Sequence, residues 1–315
     1  MKADIVYIKI LEIIKSKERV LKKEVLARHT SFKIGGPAEI FVIIESVDEL
    51  KSIIRLLESE RIRHILIGNG SDLLFDDEGY DGVVLKLSGD FEECSRSGDK
   101  IIAGVGRLLS GISNFALKEG LSGMENISGI PGTIGGAVFM NAGSYGTEMK
   151  DIVEQVHVVD RSGKEIVLDA DQMEFSYRNS IISNGEYIVT KVVLKLEKKE
   201  KKIIEEKMAE VRHKRNEKQP LNYPSAGSTF KRPEKGYAAA LIDQAGLKGF
   251  KKGGAEVSEK HAGFVINKGM ATSKDVISLM KEIRGRVYAN SGILLEPEVK
   301  IIPFKEGENF EIKSK

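Results

Sequence analysis

Four segments of this chain gather glycine and small polar residues beyond what ordinary turns require. They are residues 30–38 (TSFKIGGPA), 67–74 (IGNGSDLL), 129–137 (GIPGTIGGA) running on into 140–146 (MNAGSYG), and 224–233 (PSAGSTFKRP). Glycine reaches backbone angles closed to other residues and lets a ligand touch the main chain. A run of free backbone N–H groups also binds phosphate without a cation. The chemistry on offer is therefore the holding of a phosphorylated ligand or cofactor. No segment is a GxxxxGK[ST] loop and none a GxGxxG fingerprint. The first two, taken singly, read as turns; the third, with the most glycines in a short span, reads as a phosphate or cofactor cradle. Cys94 is the only cysteine. Glu92 and Glu93 beside it raise a thiol pKa, so it reads as inert. His64, His157, His213 and His261 show no paired metal-ligand spacing and read as structural or surface residues.

These loops need elements to position them. Residues 5–20, with Ile10, Ile13, Ile14 and Val20 among charges, predict an amphipathic opening helix. Ser46 and Glu49 form a capping-box pair before Leu50, Ile53, Ile54 and Leu57 at helical spacing. Ile65–Ile67 predicts a short buried strand running into the second loop. Further strands are expected at 99–105, 153–159 and 165–168 (a hairpin through Arg161-Ser162-Gly163), and 187–196. A helix at 108–118 closes near Gly120. The Lys- and Glu-rich stretch 197–218 predicts a solvated linking helix, with Ile203, Ile204, Met208 and Val211 on one side. Past the fourth loop come a helix at 237–245 stopped by Gly246, a strand at 264–267, and a helix capped by Thr272 and Asp275 with Val276, Met280, Ile283 and Val287 inward. The chain closes on a strand pair, 293–295 and 299–302. The plain reading is two α+β units joined near residue 200.

Composition bounds the function. At 315 residues the chain can hold two or three packed units. Its 49 basic and 47 acidic residues leave a formal charge of +2. That lacks the basic excess of nucleic-acid binders but leaves a small anionic ligand open. One cysteine excludes an intramolecular disulfide and favours a reducing compartment. The N-terminus scatters charges through its apolar residues, unlike a signal peptide, and no stretch is apolar enough to span a bilayer. A soluble cytoplasmic protein is expected.

Taken together, the motifs are recognisable. TSFKIGGPA, GNGSDLL and GIPGTIGGAVFMNAGSYG, with SYRNS, PSAGSTFKRP and LEPEV, resemble the segments of the UDP-N-acetylenolpyruvoylglucosamine reductase family, in order and at compatible spacing over residues 28–302. The short connection after Arg178 resembles the compact, type II subgroup. The resemblance implies an α+β chain: a two-subdomain FAD-binding fold of the PCMH/vanillyl-alcohol-oxidase type over 1–199, then a smaller α+β substrate-binding domain over 200–315. It implies non-covalent FAD, with NADPH as co-substrate and UDP-N-acetylglucosamine enolpyruvate as substrate, in ping-pong turnover. The implied FAD contacts are Ile34, Gly35, Gly68, Asn69, Gly70, Ser71, Gly129, Ile130, Pro131, Gly132, Thr133, Gly135, Gly136, Asn141, Ala142 and Gly143. Two departures stand out: Asp72, where the family usually has Asn, and His29, where it often does. A carboxylate near a pyrophosphate is unfavourable, so Asp72 is expected to point elsewhere or bond backbone.

Reducing an enolpyruvyl ether needs a hydride on the terminal carbon and a proton on its neighbour, with charge building toward the carboxylate. By resemblance, Ser228 is the proton donor, Arg178 the cation facing the developing enolate, and Glu298 an acid or proton relay, with Glu296 its nearest alternative. An arginine fork suits a carboxylate in two-point contact. Lys218, Lys231 and Arg232 are the expected substrate cations. Two other function classes compete: an FAD-dependent sugar or alcohol oxidase of the same fold group, which would make peroxide, and a nucleotide-sugar-binding regulator indifferent to loss of the Ser228 hydroxyl.

Overall fold

A computed structural model describes residues 2–307. The chain forms two compact units interleaved along the sequence. Unit 1 takes the chain up to Leu21, then Ile40–Asn69 and Val83–Arg215; unit 2 takes Lys22–Glu39, Gly70–Gly82 and the chain from Asn216 onward. A single cut near residue 200 does not describe these units. The reason is packing: Phe32, Ile34 and Leu74 bury themselves in the core formed by residues 226–299.

Unit 1 opens with α1 (Lys2–Ile14), which stops earlier than expected. Lys15 turns into a left-handed conformation, φ 55°, and Val20 begins a strand, β1 (Val20–Lys22), instead of ending the helix. β2 (Ala38–Ile44) follows, then α2 (Val47–Ser59). Ser46 caps α2 by accepting the Glu49 N–H. Only half of the expected box forms, because the Glu49 carboxylate takes the Glu45 N–H and the Arg19 guanidinium instead. Leu50, Ile53, Ile54 and Leu57 are all buried, at about 1.5–3 kcal/mol each from removing an aliphatic side chain from water.

Next come β3 (His64–Ile67), of which only Ile67 is fully buried, β4 (Leu73–Phe75) and β5 (Tyr80–Leu87). Strands β1, β2, β5 and β3 lie in that order in one sheet, with β3 parallel to β5. A second, five-stranded sheet is built from β6 (Cys94–Ser97), β7 (Lys100–Gly104), β8 (Val153–Asp160), β9 (Glu165–Asp169) and β10 (Tyr187–Lys195). Its order is β9-β8-β10-β7-β6, and β8 and β9 form the expected hairpin. Helix α3 (Leu109–Glu119) ends at Gly120 with φ 66°, a left-handed cap that a side chain would oppose. The six-residue α4 (Ile134–Phe139) sits inside the third glycine loop. In α5 (Lys201–Lys218), Ile204, Met208 and Val211 form the buried stripe while Ile203 faces solvent.

In unit 2, α6 (Ala238–Gln244) leads to a three-stranded sheet of β11 (Lys251–Lys252), β12 (Ala255–Val257) and β13 (Val265–Asn267). Helix α7 (Ser273–Ser291) carries the full Thr272–Asp275 box. The closing strand β14 (Lys300–Ile302) does not pair with residues 293–295; it lies parallel to β4. That long-range pairing satisfies its backbone and ties residues 73–75 into unit 2.

Candidate active site

In unit 1 the second and third glycine loops lie against each other. A Cβ on Gly68 would fall 2.4 Å from Thr133 Oγ1, and the Asn69 side chain donates to the Pro131 carbonyl at 2.6 Å. Thr133 caps α4 by accepting the Gly136 N–H. The N–H groups of Ile130, Ile134 and Gly135 are bonded to Ile127, Arg107 and Val105 carbonyls. Much of the expected anion cradle is thus consumed by the fold. Among the described residues, the Gly129, Gly132 and Thr133 N–H groups have no protein acceptor. Further on, Ala142 donates its N–H to Ala137, and Gly143 packs so closely on Glu148 that a Cβ would stand 2.7 Å from its Cγ.

One residue in this region went unread in the sequence. Arg215, on α5, lies half-buried against Gly129, where a Cβ would come within 2.5 Å of its Cδ. Burial pushes its guanidinium down from the ordinary value, with the Tyr145 phenol pulling the other way. It makes no ion pair among the described residues. A desolvated cation beside glycine backbone suits an anionic group, so the residues present fit a pyrophosphate-bearing cofactor. The signal that could have found Arg215 was its position in RHKRNEKQP, but the charge run around it read as a solvated helix face.

Loop one and the rest of loop two belong to unit 2. Ile34 is buried in its core, and its carbonyl accepts the Thr30 hydroxyl at 3.0 Å. Gly35, φ 135°, sits where a Cβ would press on Phe75 at 2.9 Å. The Ser31 N–H bonds the Gly70 carbonyl at 3.1 Å, joining the loops, and Ser71 is half-buried beside them. Asp72 faces Lys300: burial lowers the Lys300 ammonium and the Asp72 carboxylate raises it. Its departure from the family residue is matched by a nearby cation. His29, the other departure, pairs with Glu24 at 3.0 Å.

Loop four presents Ser228. Ala226, Thr229 and Phe230 are buried around it while Ser228 itself is exposed. The loop is pinned from several directions: Ser31 donates to the Ser225 carbonyl, Asn267 to the Pro224 carbonyl, and Val265 to Thr229 Oγ1. Residues 229–231 pair with 296–298 through an antiparallel bridge at Phe230 and Pro297. In it the Glu298 N–H donates to the Thr229 carbonyl at 2.9 Å and the Lys231 N–H to the Glu296 carbonyl at 2.8 Å. The structure therefore brings the segments carrying Ser228 and Glu298 together. Glu298 is half-buried; Glu296 is exposed and faces Lys231 at 3.5 Å. Arg232 stacks on the Tyr237 ring at 4.3 Å, and Lys218 is exposed.

Arg178 belongs to unit 1. It stands in the turn Ser176–Asn179, whose ends exchange N–H···O bonds of 3.0 and 3.2 Å. Its φ is 56°, a left-handed conformation usually left to glycine, and its guanidinium lies over the Tyr177 ring at 4.8 Å. Asn141 is fully buried, with its side chain bonded to Glu148, Ser176 and Lys150. Both N–H groups of its amide are donated within the protein, to Glu148 and to the Ser176 carbonyl. Cys94, on β6, has its thiol pushed up by burial, with Arg107 opposing. It reads as inert for a different reason than its neighbouring carboxylates.

Known proteins match this chain in both sequence and fold. Residues 38–169 match the FAD binding domain family and residues 219–302 the C-terminal domain of UDP-N-acetylenolpyruvoylglucosamine reductase. The reductase of that name from Caldanaerobacter subterraneus subsp. tengcongensis is 49% identical over 95% of this chain and 99% of its own length. That of Clostridioides difficile is 45% identical over 94% and 97%. The crystal structure of the Thermus caldophilus enzyme superposes with a TM-score of 0.79 at 38% identity, covering 90% of this chain and 99% of that one. These matches agree with the α+β flavin fold expected from the motifs. Near-complete coverage of both partners at such identities leaves one conclusion: the chain belongs to the UDP-N-acetylenolpyruvoylglucosamine reductase family.

Proposed function

We infer that this chain is an FAD-dependent oxidoreductase that uses NADPH to reduce UDP-N-acetylglucosamine enolpyruvate to UDP-N-acetylmuramate, a step of peptidoglycan precursor synthesis. The observation that carries it is the pinned loop exposing Ser228 beside the Glu298 segment, within a chain that matches both domains of the family. When bound, FAD supplies the hydride chemistry. Gly35, Gly68, Asn69, Gly70, Ser71, Gly129, Ile130, Pro131, Gly132, Thr133, Gly135, Gly136 and Arg215 are the residues that would hold it.

The residues of the chain do the rest. Ser228 gives its hydroxyl proton to the carbon next to the carboxylate; a weak acid suffices when the acceptor is carbanion-like and the geometry is tight. Arg178 meets the charge growing on that carboxylate with a planar fork. Glu298 relays a proton to the serine or polarises the developing enolate. Lys218, Lys231 and Arg232 are the cations available for the nucleotide phosphates. Among the described residues no helix is long and apolar enough to cross a membrane. A cytoplasmic location, and with it a part in cell shape and division, follows from this reading. The oxidase alternative finds little support: Cys94, its obvious point of flavin attachment, is half-buried on β6 with its thiol raised.

Stopped-flow spectroscopy tests the proposal. The NADPH-reduced protein, mixed without oxygen with the enolpyruvyl substrate, should reoxidise rapidly and form the muramate. Ser228→Ala should leave reduction by NADPH intact and slow reoxidation by ~10²–10⁴-fold, the usual worth of a positioned acid. Flavin that ignores the substrate and reoxidises only in air would hand the function to the oxidase reading.

A further inference from the structure

The corner where α4 ends meets the Arg178 turn on both sides. Asn141, just past the helix, is fully buried at φ 40°. Its amide donates to the Ser176 carbonyl at 3.0 Å and to Glu148 Oε2 at 3.0 Å, while its oxygen accepts the Lys150 N–H at 3.0 Å. Two acceptors face the nitrogen and one donor faces the oxygen, so the amide has a single satisfied orientation. On the far side of the turn, buried Ser180 donates to the Phe139 carbonyl at 3.0 Å, and Ser183 to the same oxygen at 3.2 Å. Residues 176 and 180 flank Arg178; the first is bonded to Asn141, just past α4, and the second to Phe139, its last residue. A non-glycine residue held at φ 56° persists only where its surroundings over-determine it.

We propose that Asn141 and Ser180 are positioning residues for Arg178: together they clamp its turn to the end of α4, so that the guanidinium is preset for the substrate carboxylate. This rests on the reading of Arg178 given above. Neither residue touches the reacting atoms; each acts through the turn.

Asn141→Asp keeps the shape but replaces two donors with a carboxylate facing Glu148 and a carbonyl, which breaks the clamp. In the FAD-loaded protein, reduction by NADPH should stay within about twofold of the parent. Reoxidation by the enolpyruvyl substrate should slow by on the order of 10–100-fold, the cost of misplacing a group by about an ångström. The deciding measurement is the double variant: with Arg178→Ala already present, Asn141→Asp should add no further slowing. A second readout needs no turnover. Tryptic cleavage after Arg178 should accelerate in Asn141→Asp relative to cleavage at other sites. Equal slowing in both backgrounds, or faster cleavage everywhere alike, would overturn the proposal and leave Asn141 merely structural. If Asn141→Asp fails to fold with flavin, the same cycle on Ser180→Ala decides by the same criteria. Should Arg178→Ala itself leave reoxidation unchanged, it is the reading of Arg178 that fails, and the cleavage assay still judges the clamp.

Discussion

At Arg178 the backbone holds a conformation that its side chain opposes. The left-handed conformation disfavours any residue with a Cβ by about 1–2 kcal/mol, yet the turn carries arginine where glycine would relax it. Strain of this kind persists where a side chain is needed. Comparing Arg178→Gly with Arg178→Ala isolates it, since both lose the guanidinium and its stacking on Tyr177. Arg178→Gly should be more stable by about 1 kcal/mol in urea unfolding, the steric relief exceeding the added chain entropy, while neither variant reoxidises at the parent rate. Equal stabilities would mean that the turn relaxes once the arginine is gone. Ser228, Arg178 and Glu298 were singled out because SYRNS, PSAGSTFKRP and LEPEV resemble family segments; by residue type alone a turn serine, a surface arginine and a strand glutamate carry no such mark. Asn141 stood in such a segment too, and its burial and its bonds to Glu148, Ser176 and Lys150 were not legible there, because a buried amide bonded to protein looks no different in sequence from one aimed at a cofactor. Arg215 was hidden for the opposite reason, as one cation among many on α5.

Helices whose caps and apolar spacing agree were readable before the structure, and α7 shows why. Its Thr272–Asp275 box is written in local sequence and forms as expected. Pairings between distant segments were not readable: nothing in residues 73–75 or 300–302 announces that β4 and β14 lie side by side, nor that 229–231 meet 296–298. The same cap makes a prediction about pH. Asp275 accepts the Thr272 and Gly254 N–H groups at 3.0 and 3.1 Å, and the backbone bond from Thr272 leads the effects that hold its carboxyl below the ordinary value, against a smaller desolvation cost. A depressed folded-state pKa stabilises above the unfolded value, about 3.9, and that contribution is lost as pH falls through the lower folded value. Asp275→Asn should therefore cost about 1 kcal/mol at pH 7, and urea midpoints of parent and variant should begin to converge only as pH falls below the unfolded value. A gap that stays constant with pH would show that the carboxylate charge contributes nothing to the cap.

Two separate hydrophobic cores, one per unit, give the molecule a way to report where its cofactor binds. A ligand that binds only the folded state stabilises it by RT ln(1 + [L]/Kd), about 2.7 kcal/mol at a hundredfold excess over Kd. Only those parts whose unfolding destroys the site share that gain. The expected FAD residues fall in both units: Gly68, Asn69 and the third loop in unit 1; Gly35, Gly70 and Ser71 in unit 2. Hydrogen exchange with and without FAD should then show added protection at slow amides of β7 and β10 and also at those of α7 and β13, wherever exchange requires the unit to unfold. Gly68→Ala sharpens the test. Its Cβ has no room beside Thr133 Oγ1 at 2.4 Å, so Thr133 must turn off its cap on Gly136 or the second and third loops must part, and flavin binding should weaken on gel filtration. In that variant, adding FAD should protect neither set of amides at concentrations that protect both in the parent. Protection confined to unit 1 in the parent would instead remove Gly35, Gly70 and Ser71 from the cofactor site and leave them as turn residues, the role their sequence alone suggested.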